Sequence, residues 1–282
     1  MSGAAPTRGV AGGRGGVSQA ISDGLLVTWR NLKRIPRIPE LAIFAILQSI
    51  MFVLLFAFVF GGAIPIPGYE GNPNAYREFL MPGIFGQTIV FAAATTAIGM
   101  TDDVNKGIID RFRSLPMARS AVLSGRALSD VVYNGGILIV LLISGFAVGW
   151  TVHTGLQSLL AGVALMLLFA FAMSWLGIWM GLNVPSVEVA QQVIFTVLFP
   201  ITFVSNVFVP PQTLPEWLQP VAEWNPTSTL TGALREMWGN PNPYPSTSFP
   251  GQEPVLVTLG WVVVIIAIFG PLGVRKYRSI SR

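Results

Sequence analysis

The chain has no cysteine, a single histidine and very few charges, and each shortage removes a class of chemistry. Without cysteine there is no disulfide, no thiolate nucleophile and no Cys-ligated metal. With His153 as the only histidine, no His-Glu-x-x-His zinc site can be written. A Ser–His hydrolase would have to use His153, which falls in a turn between apolar runs and reads as structural. No Gly-rich loop ends in Lys-Ser or Lys-Thr, and Lys106-Gly107 does not fit that pattern. The chain is therefore expected to carry no catalytic residues, no metal and no cofactor of its own, and not to hydrolyse ATP alone.

The shortage of charge is the most informative. Charged residues make up 11% of the 282 and apolar ones 52%, with a mean hydropathy of +0.63. A soluble domain carries roughly a quarter charged residues, so this chain could not clothe a water-facing surface. A bilayer removes that requirement. The formal charge of +4 might point to nucleic acid, but the basic residues bracket apolar runs and form no stripe, so no nucleic-acid partner is expected.

Five stretches lack Asp, Glu, Lys and Arg: 41–69, 79–101, 131–187, 189–215 and 254–274. A membrane helix needs about 20 apolar residues, so the third must hold two crossings. It breaks at Trp150-Thr151-Val152-His153-Thr154-Gly155, read as a polar turn with an interfacial Trp. The expected fold is an all-α membrane protein with six spans, near 41–60, 79–100, 131–150, 157–180, 188–209 and 254–274. Of the 17 Lys and Arg residues, only Arg77 and Arg235 fall on the side opposite the termini. By the positive-inside rule both termini are cytoplasmic, in a multi-pass protein of the cell membrane.

Residues 1–17 read as a disordered tail, 18–36 as an interfacial amphipathic helix and 37–282 as one transmembrane domain. In the interfacial helix Ile21, Leu25, Trp29 and Leu32 share a face towards membrane lipid. Between spans two and three, Val104, Ile108, Phe112 and Leu115 recur at helical spacing. Asp102 and Asp103 stand at the N-terminal end and Arg111 and Arg113 at the C-terminal end, where each complements the helix dipole. Asp110 can pair with Arg113, and Pro116 ends the helix. This short helix either floats on the headgroups or inserts as a knob into a cytosolic partner.

Before the last span, Thr213 is expected to cap one short helix bearing Trp217, Val221 and Trp224. Asn225-Pro226 then breaks the chain, and Ser228 caps a second helix with Leu230, Leu234 and Met237 inside. Neither is long enough to cross, so 210–253 reads as an outer hairpin. Within the spans the polar residues are uncharged and concentrate in two and five: Gln87, Thr88, Thr95 and Thr96, then Gln191, Gln192, Thr196, Thr202, Ser205 and Asn206. They serve either interhelical hydrogen bonds or a translocation path.

Two stretches resemble the permease subunits of type 2 ABC transporters, in particular the daunorubicin-resistance branch of drug exporters. One is Lys106-Gly107-Ile108-Ile109-Asp110-Arg111-Phe112-Arg113-Ser114-Leu115-Pro116. The other runs from Val209-Pro210-Pro211 through Leu214-Pro215-Glu216-Trp217-Leu218 and Asn225-Pro226 to Leu234-Arg235. The resemblance implies a six-span half-transporter paired with a second copy or a homologous permease. Ile108, Asp110, Arg111, Phe112, Arg113, Leu115 and Pro116 would couple to a cytosolic ATPase subunit that holds ATP and Mg. Asn183-Val184-Pro185-Ser186 would make a second contact, and Gln87, Thr88, Thr95, Gln191, Gln192, Thr196, Ser205 and Asn206 would line the pathway. Pro211, Trp217, Trp224, Asn225 and Pro226 would shape the outer hairpin. The function implied is export of an amphipathic drug or lipid-like compound. The alternatives are an ion-coupled secondary transporter and a non-transporting assembly or scaffold protein; the spans hold no ionisable residue at their centres, which weighs against the first of these.

Overall fold

A computed structural model of the chain describes residues 28, 47–48, 50–55, 58, 74–109, 119–208, 211–242 and 246–280. The expected 1–17 tail, nearly all of the 18–36 helix, much of span one and positions 110–118 lie outside these residues.

Among the described residues the regular structure is helical. In chain order we label α1 (Ala75–Asn105), α2 (Arg119–Ala147), α3 (Leu156–Asn183), α4 (Val187–Phe203), α5 (Gln219–Trp224), α6 (Pro226–Trp238), α7 (Phe249–Gln252) and α8 (Pro254–Ser279), with a 3-10 turn at Pro211–Thr213 before α5. Four of these, α1, α2, α3 and α8, are long and apolar enough to cross a membrane. At 17 residues α4 falls short: about 25 Å at 1.5 Å per residue, against roughly 30 Å of hydrocarbon. The expected span 188–209 thus ends early, in a turn that carries the chain into the hairpin.

Helices that follow one another in the chain alternate in direction, so α1 and α3 run parallel. At one end Thr101 donates to the Gly181 carbonyl (3.0 Å), tying the end of α1 to the end of α3. At the other, Arg77 donates to the Val148 carbonyl (3.2 Å), tying the start of α1 to the turn after α2. The most intimate contact is α1 on α3. Gly177 and Gly181, one turn apart, lie against the carbonyl oxygens of Ala93 and Ala97, where a Cβ would have no room. Small residues at this spacing let two backbones approach in a medium that offers no hydrophobic drive between helices.

The larger core joins Leu80, Phe85 and Ile89 of α1 to Leu138, Phe169, Leu230 and Leu234. A smaller one, at the end where α1 stops, gathers Met100, Ile109, Leu123, Ile178, Leu182 and Tyr277. Trp150, expected at the interface, is fully buried. It packs edge-on against Phe85 at 5.2 Å and Trp238 at 5.1 Å, and its indole donates to Asn240 Oδ1 at 3.0 Å. Gly145 leaves room for it and Gly162 for Trp238. Aromatic pairing and a satisfied N–H explain why a Trp at a span end turns inward here.

Candidate functional site

Three regions carry the residues singled out in the sequence. The first is the turn that follows α1. α1 runs to Asn105, Lys106 pairs with Asp102 at 2.8 Å on the exposed surface, and Gly107 takes a positive φ of 65°. Such a φ suits glycine and lets the chain leave the helix. Ile108 is half-buried and Ile109 is buried in the smaller core. Asp110, Arg111, Phe112, Arg113, Leu115 and Pro116 lie outside the described residues. The loop between α3 and α4 is tight: Ser186 caps α4, its hydroxyl accepting from the Val189 N–H.

The second region is an exposed edge shared by α1 and α4. α4 buries a single stripe, Ala190, Ile194, Leu198 and Thr202, at intervals of four residues. Most of the rest of its surface is bare, including Gln191, Gln192, Phe195, Thr196 and Phe199. The rings of Phe91 and Phe195 lie 6.5 Å apart and set the register of the two helices. One turn onward Thr95 is exposed beside this contact, on the side towards Gln191 and Gln192. Thr88 is half-buried and donates to its own helix at the Ile84 carbonyl, and Gln87 is buried. Thr96, next to Thr95, turns inward to Asp130.

Ser205 and Asn206 belong instead to the third region, the hairpin. Ser205 is buried and donates to the Thr202 carbonyl. The Asn206 N–H donates to Ser228 Oγ at 3.0 Å. The hairpin departs from the sequence expectation at both caps. The first helix starts at Gln219 and not after Thr213, with Pro220 in its first turn. The second is capped by Asn225, not Ser228, because Pro226 occupies its first position and the Asn225 side chain accepts from Thr227 N at 2.8 Å. The same Asn225 amide donates to the Ile201 and Val204 carbonyls, each at 2.7 Å, so one side chain closes the end of α4 and the start of α6. Gly239, with φ 67°, ends α6, and Asn240 N bonds back to the Arg235 carbonyl. Trp217, which precedes the helix, and Val221 and Trp224 within it are each exposed, and Pro211 is buried at the foot of the hairpin.

Arg235, a rare outer charge that closes the second resembling stretch, organises this region. It is 1% exposed, with Nε donating to the Phe79 carbonyl at 2.9 Å and Nη2 to the Asn206 carbonyl at 3.0 Å. Burial lowers its pKa to about 9, so the guanidinium remains charged at neutral pH. Glu236 beside it is pushed up by burial and by Glu253. A partly open pocket of about 260 Å³ sits here, lined by Asn206, Glu223, Ser228, Arg235, Glu236 and Gln252 among others. At the same end His153 has a partner that the sequence did not reveal: its Nε2 lies 3.1 Å from Glu78 Oε2.

Comparison with known proteins shows what the sequence is similar to. Residues 24–237 match the model of the family described as ABC-2 type transporter. The chain is 30% identical, over 95% of its length and 90% of the relative's, to the daunorubicin resistance ABC transporter permease protein DrrB1 of Streptomyces coeruleorubidus. It is 24% identical, over 96% and 95%, to the probable doxorubicin resistance ABC transporter permease protein DrrC of Mycobacterium tuberculosis. It is 23% identical, over 84% and 81%, to the putative transport permease ycf38 of Porphyra purpurea.

Proposed function

The chain belongs to the ABC-2 type transporter family, as a multi-pass membrane subunit of an ABC transporter, and on that premise we propose that it exports an amphipathic drug or lipid-like compound. Hydrolysis of ATP, with Mg, on a separate cytosolic subunit drives the step. Two permeases, identical or homologous, face each other across the pathway, each with six spans and cytoplasmic termini, α4 completing its crossing through the turn at 204–208 that meets the start of α1 at Arg235.

The observation that carries this reading is the bare edge of α4. Gln191, Gln192 and Thr196 are exposed on an apolar helix that buries only one stripe. Amide side chains facing lipid tails would have no hydrogen-bonding partner, and such groups in membrane helices face protein or a water-filled cavity. A second permease copy against this edge supplies both. Small polar groups interleaved with Phe195, Phe199 and Phe203 offer a solute apolar contact plus a few hydrogen bonds, which suits an amphipathic molecule. The relatives named for daunorubicin and doxorubicin resistance support the same substrate class.

Beyond the C-terminal end of α1 the segment 106–118 docks on the ATPase, with Ile108, Phe112 and Leu115 as apolar contacts and Asp110, Arg111 and Arg113 as polar ones. The clustering of Lys106, Arg126, Arg275, Lys276 and Arg278 near this end supports its cytoplasmic placement. The test is co-purification of the chain with its ATPase and a substrate-stimulated hydrolysis assay. Phe112→Asp leaves membrane insertion intact and abolishes both stimulation and export. Retention of both would remove the coupling assignment.

A further inference from the structure

Where α1 and α2 meet, next to the 106–118 segment, three charged side chains are largely buried together. Arg126 of α2 donates through Nη1 to Asp103 Oδ2 at 2.8 Å and through Nε to Asp130 Oδ2 at 3.3 Å. Their side chains are 14%, 8% and 15% exposed, in that order. Thr96 of α1 donates to the same Asp130 oxygen at 2.8 Å. Arg126 and Asp130 sit one turn apart on α2, and they grip α1 at Asp103 and Thr96, two turns apart. Gly99 lies between those grips on the same face, and a Cβ there would collide with Arg126 Nη2.

A cluster of this kind is a poor way to gain stability. Desolvating two carboxylates and a guanidinium offsets most of their attraction, and apolar side chains of similar size hold helices together at least as well. What charges add is register, because a slide by one turn would strand all three. The lock also stands at a strategic point. Asp103 lies three residues before Lys106, and Arg126 follows the segment on α2, so the cluster closes the base of the loop. Thr28, buried, donates to the Gly125 carbonyl at 3.0 Å, beside Arg126. From there α1, packed against α3 through Gly177 and Gly181, runs to Thr95 and Phe91 at the exposed edge.

We propose that Asp103, Arg126 and Asp130 are positioning residues forming a register lock that transmits displacement of the 106–118 segment to α1 and thus to the pathway edge. The proposal rests on the coupling role given to that segment. It separates two functions of one loop: binding the ATPase, which the lock does not touch, and converting its movement into transport, which the lock controls.

Gly99→Ala provides the selective test, because it adds one methyl group, favours the helix and pushes the guanidinium off Asp103 without removing any charge. In the reconstituted complex it keeps ATPase binding and basal hydrolysis, while solute moved per ATP falls roughly tenfold, the scale of a lost intramolecular coupling. Gly99→Ala with Arg126→Lys recovers transport, since a lysine lacks the colliding nitrogen yet still reaches Asp103. Asp103→Asn, which keeps the side-chain shape, loses coupling like Gly99→Ala and serves as the second variant if Gly99→Ala folds poorly. A readout independent of transport is the distance between spin labels on cysteines placed at the exposed positions Asn105 and Leu128, which the absence of native cysteine permits. It is narrow in the parent chain and broad in both single variants. Unchanged distance distributions, or parental transport per ATP in both single variants, would overturn the lock. Lack of ATP-driven transport by the parent complex would instead overturn the coupling reading beneath it.

Discussion

The Arg235 guanidinium carbon lies 3.7 Å from the centroid of the Phe79 ring, while its Nε donates to the carbonyl oxygen of the same residue. One side chain of α6 thus holds both the ring and the backbone of α1, and it satisfies the turn after α4 as well. Replacing Arg235 with Ala strands these acceptors and removes the cation–π contact. The expected cost is roughly 3–5 kcal/mol. Thermal unfolding in detergent should show a large fall in Tm, and limited proteolysis should cut first between residues 211 and 252. Arg235→Lys should recover only part of the loss, because an ammonium cannot reproduce the planar fork.

Asn225→Asp isolates the joint between α4 and α6. The carboxylate can still cap α6, but the amide nitrogen that donates both N–H bonds becomes an oxygen facing the carbonyls of Ile201 and Val204. The expected destabilisation is about 2–4 kcal/mol, measured by the same thermal assay. Asn225→Ser, which keeps a cap and one donor, should lie between Asp and the parent.

The fold was legible where it depended on length and periodicity. The expected spans 79–100, 157–180 and 254–274 sit inside α1, α3 and α8, because charge-free runs mark what lipid tolerates. The start of α2 was hidden for the opposite reason. Asp130 and Arg126 ended the charge-free window, yet the helix continues through both, since each finds its counter-charge on α1 or one turn away. That pairing spans 23 residues of sequence and leaves no local signal. Trp150 misled similarly: a Trp beside a polar turn looks interfacial until the partners Phe85, Trp238 and Asn240, far along the chain, are in place. The bare edge of α4 was half-legible, for the sequence showed the polar residues but not that Ser205 and Asn206 turn away into the hairpin.

Substitutions on that edge should separate transport from stability. Gln191, Gln192 and Thr196 are exposed in the single chain, so Gln192→Leu should change monomer stability by less than about 0.5 kcal/mol. Export should nevertheless fall severalfold, or its substrate preference should shift, in a vesicle transport assay. Gly181→Leu is the contrasting control. Its side chain would drive α3 off the Ala97 carbonyl and should prevent a stable fold, seen as loss of monodisperse protein.

Sidedness is open to direct labelling. A cysteine at Lys106 should react with an impermeant maleimide only from the cytoplasmic face of membrane vesicles, and one at Asn242 only from the other. Both positions are exposed, Lys106 in the turn after α1 and Asn242 in the irregular segment beyond α6, and the natural chain contributes no background thiol.

The most direct test of the account is transport in proteoliposomes holding this chain with its ATPase, driven by ATP and Mg and followed with a fluorescent amphipathic solute. The account predicts movement that requires both proteins and ATP and disappears with Phe112→Asp. Movement driven by an ion gradient through this chain alone, with no ATPase present, would contradict it.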